Sequence, residues 1–321
     1  MSIQATSVRG RAVTSALVLA AAMVAAGGTS ASASASAGSG TSTGASSGTV
    51  KAAVHRVSAA AESATRSYWT ASRMAAAMAT SAPAVGNVVH MAAQAPGSHP
   101  TANRFHGVRT VGALFDTTGN LDHFCTASVV NSATADIIIT AAHCVYGSTY
   151  ATNIEFVPGY YRGHSPYGAW PVQTVTVASG WQKAHSQNLD FAFLTVTPPA
   201  GTSTPIQFVT GGLWLGISTG YDHQIEAIGY NDTANEPIEC ATTSFKYSVH
   251  QMKFYCRGFW DGTSGGPWIV GYNSTTGSGT VIGDIGGFEQ GGNYSWASYS
   301  VYYTWPTFQL FLQAQGLPQP S

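Results

Sequence analysis

The chain has 321 residues, only 8% of them charged, with 13 Lys and Arg against 14 Asp and Glu and a formal net charge of −1. So few charges, with no basic excess, argue against a nucleic-acid partner. The four cysteines form no Cys-x-x-Cys pair and no two histidines stand at helical spacing, so no zinc site is expected.

Residues 1 to 35 have the three parts of a secretory signal. Arg9 and Arg11 lie near the start, an apolar run follows from Ala12 to Ala26, and small-residue cleavage sites stand at Ala31-Ser32-Ala33 and Ala33-Ser34-Ala35. The apolar run falls short of the roughly 20 residues that a membrane span needs. Export with cleavage is expected, leaving a secreted, extracellular chain without a membrane partner.

Residues 36 to 100 are expected to be a low-complexity spacer followed by a pro-segment. Ser36 to Gly48 is Ser, Gly and Ala only, apart from two threonines, and has no core of its own. From Val50 to Met91 the chain is Ala-rich, with Val54, Val57, Tyr68, Trp69, Met74 and Met78 at roughly helical spacing, which predicts one or two helices. The first 96 residues are formally +5 and the remainder −6, a sign difference that favours docking of the chain's own pro-segment on the acidic domain.

Residues 101 to 321 read as the main domain. His123 to Val130 and Asp136 to Ala142 are strand-like, and the second is β-branched before turning small at Ala141 and Ala142, so that it delivers His143 to a packed loop. Asp190 opens the apolar strand that runs to Val196. Val172 to Trp181, His223 to Tyr230, Trp268 to Tyr272 and Thr280 to Ile285 are further short strands bounded by turn residues. Many short strands with turn signals predict an all-β barrel architecture. Phe308, Phe311 and Leu312 fall at helical spacing, predicting a helix from Pro306 to Gln315 that Gly316 and Pro318 stop.

Trp260-Asp-Gly-Thr-Ser-Gly-Gly-Pro-Trp268 has the glycine density to hold Ser264 in a tight exposed turn. A serine hydroxyl needs a base for its proton and donors for the oxyanion that forms on attack. His143 is the candidate base, and the amides of Gly262 and Ser264 are the candidate oxyanion hole. An even cysteine count in an exported chain reads as two disulfides with three possible pairings, of which Cys125 with Cys144 and Cys240 with Cys256 is the local one.

Together Thr140-Ala-Ala-His-Cys144 and the Ser264 loop resemble the trypsin/chymotrypsin-like serine endopeptidases, and the resemblance runs from about His123 through Leu312. It implies two packed antiparallel β-barrels with a C-terminal helix. The first, about 105 to 205, would bring His143 and Asp190; the second, about 206 to 305, would bring Ser264. It implies the same local disulfides, a catalytic triad of His143, Asp190 and Ser264, protein or peptide substrates, and no metal or organic cofactor.

Two departures matter. Thr263 replaces the Asp that many trypsin-like enzymes carry before the nucleophile, so the ion pair of the usual zymogen switch is not expected. This brings the chain closer to the secreted bacterial branches. The loop from Cys256 to Ser264 is short, and substrate-pocket candidates are Gly258, Gly286, Gly287, Phe288 and Ser300, selecting an apolar or small residue before the cut. A narrow glutamyl-endopeptidase-like enzyme is the alternative, although no histidine occupies the pocket wall. A protease fold kept for binding without turnover is the rival from another class.

Overall fold

The computed structural model describes residues 49–79, 97–232 and 234–319. The signal and spacer expectations therefore lie outside the described residues, as does the end of the Ala-rich stretch from 80 onward. The elements are β1 (Ala52–Arg56), α1 (Ala59–Tyr68), α2 (Ala71–Ala79), β2 (Asn103–Arg104), β3 (Val111–Thr118), β4 (Leu121–Val129), β5 (Ile137–Thr140), β6 (Thr152–Pro158), β7 (Trp170–Ala178), α3 (Ser179–Ala184) and β8 (Ala192–Val196). There follow α4 (Ile206–Thr210), β9 (Trp214–Leu215), β10 (His223–Tyr230), β11 (Pro237–Lys246), β12 (Gln251–Tyr255), β13 (Pro267–Asn273), β14 (Ser278–Asp284), β15 (Ala297–Val301) and α5 (Trp305–Ala314).

The expected all-β architecture is present. Strands β3 to β8 close into a six-stranded antiparallel barrel in the order β7-β6-β3-β4-β5-β8, with β8 returning to β7. Strands β9 to β15 form a second sheet, β15-β12-β11-β10-β13-β14-β9, antiparallel except for β9 on β14, and β2 pairs with β11 off this path. Ile137, Ile138 and Ile139 are all fully buried, as a run of β-branched residues with no polar alternation requires. Leu114, Val129, Phe156, Trp170 and Leu194 fill the first barrel, and Ile225, Phe254, Trp268 and Ile282 fill the second unit. Between them Phe191, Phe193, Ile269 and Tyr303 form a third cluster, on which α5 seats Leu310 and Phe311. A capping box between Thr304 and Thr307, with proline in the first turn, starts that helix one residue before the expected position.

The Ala-rich stretch departs from its helical reading at Val54 and Val57. Val54 lies in β1, whose five residues pair with β7 from Thr174 to Ala178, and the Val57 amide donates to Gln173 O at 2.8 Å. A free sheet edge supplies backbone partners that helical spacing cannot reveal. Two helices follow as the spacing suggests, with Ser58 capping α1 through a 3.2 Å bond from Ala61 N.

Two carboxyl groups sit in the first barrel without a matching cation. Burial pushes Glu155 up from 4.5 to about 8, an effect that Arg66 only partly offsets, and pushes Asp116 up from 3.8 to about 7. Both hold a proton in the folded chain that the unfolded chain has released. Stability is therefore fully present below about pH 4 and is lost as pH rises through 7 to 8, by up to about 1.4 kcal/mol per pH unit for each such proton. Melting curves between pH 5 and 8 should show a falling Tm, and Glu155→Gln should flatten the slope. An unchanged slope in that variant would remove Glu155 as its source.

Candidate active site

β5 ends at Thr140, and the chain tightens into a single 3-10 turn, Ala142–Cys144, that carries His143. Cys144 is bonded to Cys125 on β4, tying the turn to the neighbouring strand, and Cys240 is bonded to Cys256. Both local pairings expected from the sequence are present. The sulfurs beside His143 are consumed in the disulfide, so Cys125, His143 and Cys144 offer no thiolate to a metal despite their proximity.

Asp190 follows the short turn Gln187–Leu189 and is fully buried. Its Oδ1 accepts the His143 backbone amide at 2.9 Å, while Oδ2 accepts His143 Nδ1 at 2.9 Å and the Gly287 amide at 2.8 Å. An acceptor oxygen against Nδ1 puts the proton of the neutral imidazole on that nitrogen. His143 Nε2 is thereby left as the basic atom, and it has no hydrogen-bond partner among the described residues. Asp284 is also buried, and burial first, then the charge of Asp190, hold its carboxyl well above the usual range.

Ser264 shares one cleft with His143. The hydrogen bond between its Oγ and His143 Nε2 is not made in this structure. The loop around it is tightly held. Thr126 N donates to Ser264 O at 2.7 Å, and Thr126 Oγ1 donates to Gly262 O at 3.0 Å. The Thr263, Gly265 and Gly266 amides donate to Trp260, Ile285 and Thr263 carbonyls. Thr263, which cannot form an ion pair, donates its Oγ1 to Trp260 O at 2.7 Å. Among the described residues neither the Gly262 nor the Ser264 amide is spent on a hydrogen bond. Gly262 has φ +92, and a Cβ there would collide with the Phe124 ring and come within 2.7 Å of Tyr230 O. Only glycine fits this turn.

The pocket wall differs from the sequence expectation. Phe259, Ile285, Gln290, Gly292, Tyr294 and Ser298 line the cleft with Asp261, whereas Gly258, Gly286, Gly287, Phe288 and Ser300 do not. Gly258 is bonded to Ser295 O and to Asn231. Gly286 packs against the Asp190 backbone, and Gly287 gives its amide to the Asp190 carboxylate. Phe288 N donates to Gln251 Oε1, and Ser300 Oγ is held by Asp284 N and Val301 O. The chain after Ile285 is drawn to Asp190 before it can return to the cleft. It returns through Glu289 at φ +50 and Gln290 at φ +55, two consecutive residues in the left-handed region. Such backbone costs about 1 kcal/mol or more per residue and is found where function requires it. Gln290 Oε1 is buried without a partner among the described residues, and the cleft leaves about 20 Å³, little more than one water needs. The glycine density of Gly286 to Gly292 marked this loop in the sequence, but nothing local marked Gln290 as the side chain turned inward.

A family model described as Trypsin matches residues 100–304. The chain belongs to the trypsin family. Its fold is also that of solved trypsin-like proteases. Protease Anisep from Arthrobacter nicotinovorans is 24% identical with a TM-score of 0.59, covering 67% of this chain and all of its own. The thermostable serine protease AL20 from an extremophilic microorganism is 23% identical with a TM-score of 0.58, over 65% of this chain and 98% of its own. A Glu endopeptidase is 16% identical with a TM-score of 0.53, over 68% and 97%. No curated protein matches by sequence. Trypsin-family membership makes this a serine-protease chain by fold, with proteins or peptides as the substrate class.

Proposed function

We propose that this trypsin-family chain is a secreted serine endopeptidase acting through Ser264, His143 and Asp190. The observation that carries the reading is the pair of uncommitted amides at Gly262 and Ser264, in the loop that shares a cleft with an oriented, unpartnered His143 Nε2. In this cycle Nε2 takes the Ser264 Oγ proton as Oγ attacks the scissile carbonyl, and the two amides hold the oxyanion. The imidazolium, stabilised by Asp190, gives that proton to the leaving amine, and Ser264 is left acylated. Water then repeats the sequence and releases the acid.

Intact-mass analysis of the secreted protein before and after a serine-directed phosphonofluoridate tests this, with Ser264→Ala as control. One adduct that the control lacks is the expected result, and the unreacted mass gives the mature N-terminus, expected beyond residue 35. A folded chain that takes no adduct would instead be a binding protein with a disabled loop.

The cleft favours a small side chain before the cut. Among its lining residues only His143 can carry positive charge, so the rest of the wall offers a glutamate no cation to pair with. Gln290→Gly should open the pocket without backbone penalty, because glycine adopts φ near +55 freely. The ratio of kcat/KM for leucine over alanine substrates is expected to rise about tenfold or more. An unchanged ratio would show that Gln290 does not limit the pocket.

A further inference from the structure

Nothing in the proposed cycle calls on residues 49–79, yet they are built into the fold. β1 extends the β7 edge of the first barrel, and the Val50 and Ala52 amides donate to the Gln309 and Gln313 side chains of α5 at 3.1 and 2.9 Å. Farther on, Tyr68 donates to Asp122 Oδ1 at 2.7 Å and Arg73 pairs with Asp122 Oδ2 at 2.6 Å. Trp69, Met74 and Met78 are 6%, 3% and 0% exposed, in one cluster with Phe115 and Phe124. Without this arm those rings would be part of an exposed apolar patch.

The cluster leads to the catalytic loop. Trp69 packs on Phe115 with ring centroids 5.3 Å apart, Phe115 on Phe124 at 6.5 Å, and the Phe124 ring fills the place where a Gly262 side chain would stand. Each ring is stiff, and a close-packed row of rings passes a displacement at one end on to the other. No charged residue anchors this loop from position 263; hydrogen bonds and this packing hold it.

We propose that residues 50–79 are a permanent brace of the oxyanion loop, holding Gly262 through Trp69, Phe115 and Phe124, and that the active species retains them. The proposal rests on reading the Gly262 and Ser264 amides as the oxyanion donors. Trp69 is then a positioning residue, remote from substrate.

The test uses the secreted full chain and an alanine ester substrate. Trp69→Ala is expected to lower kcat about 10- to 100-fold with KM within about twofold, since a small misplacement of an oxyanion donor costs this much. Trp69→Phe should recover most of the loss. Thermal melts establish that each variant is folded at the assay temperature, and Trp69→Leu replaces the alanine variant if that one is not. Native and denaturing mass spectrometry of the active species should find residues 50–79 in the chain or as a bound peptide. A folded variant with kcat within twofold of the parent, or an active species lacking residues 50–79, overturns the proposal. Should the parent neither turn over nor take the phosphonofluoridate, the enzyme reading has failed. The brace is then read from hydrogen exchange of the Gly262 to Gly266 amides, which must quicken in the Trp69 variant and overturns the brace if unchanged.

Discussion

Asp190→Asn is expected to lower kcat by about 10⁴-fold with little change in KM. The carboxylate accepts three donors, two on Oδ2 and one on Oδ1. An asparagine amide has one oxygen for these two places. With its nitrogen toward Nδ1 it forces the imidazole proton onto Nε2, which can then no longer take a proton from Ser264. With its oxygen toward Nδ1 the tautomer survives, but the His143 amide faces another donor and the imidazolium formed during attack has lost its counter-charge. Steady-state kinetics on an activated ester separates these effects from binding. A loss of less than tenfold would mean that Asp190 does not orient the base.

Gly262→Ala is expected to lower kcat about 10²- to 10³-fold, the usual cost of one oxyanion donor. The new methyl group would meet the Phe124 ring and the Tyr230 carbonyl, and its residue would be held at φ +92, where side chains are strained. The loop must move, and the amides of residue 262 and Ser264 then no longer converge. KM should stay within a few-fold, because the cleft wall at Ser298 belongs to β15 and the wall at Ile285 follows β14, both outside this turn. Phosphonofluoridate adduct formation should slow in parallel with kcat, since it too develops charge on oxygen. Parent-like kcat in a folded variant would take Gly262 out of the oxyanion hole.

Much of this site was legible locally. The Ile-rich strand before Ala141-Ala142-His143, the glycines around Ser264 and the acidic residue opening an apolar strand are each short-range patterns, because a strand-end turn or a tight loop is specified by the residues that form it. The local disulfides were legible for the same reason, because each closes a short loop, 19 residues apart for Cys125 with Cys144 and 16 for Cys240 with Cys256. The pocket wall was not. Gly287 and Phe288 were expected at the cleft, but the Asp190 carboxylate and the Gln251 side chain, distant in sequence, draw them aside and turn Gln290 inward. Val54 and Val57 were read as helical because their spacing permits it, and only the exposed edge of β7 makes that segment a strand.

The sequence by itself therefore determined the all-β class and the trypsin-like motifs, and it pointed to the local disulfides and to the residues proposed here as nucleophile, base and orienting acid. Each depends on chemistry carried within a few residues. The tertiary structure alone decided which side chain closes the pocket, which amides stay uncommitted, and that residues 49–79 pack through Trp69 against the rings behind Gly262. These are contacts between segments far apart in the chain, and burial and hydrogen-bond competition settle them only once the barrel has closed.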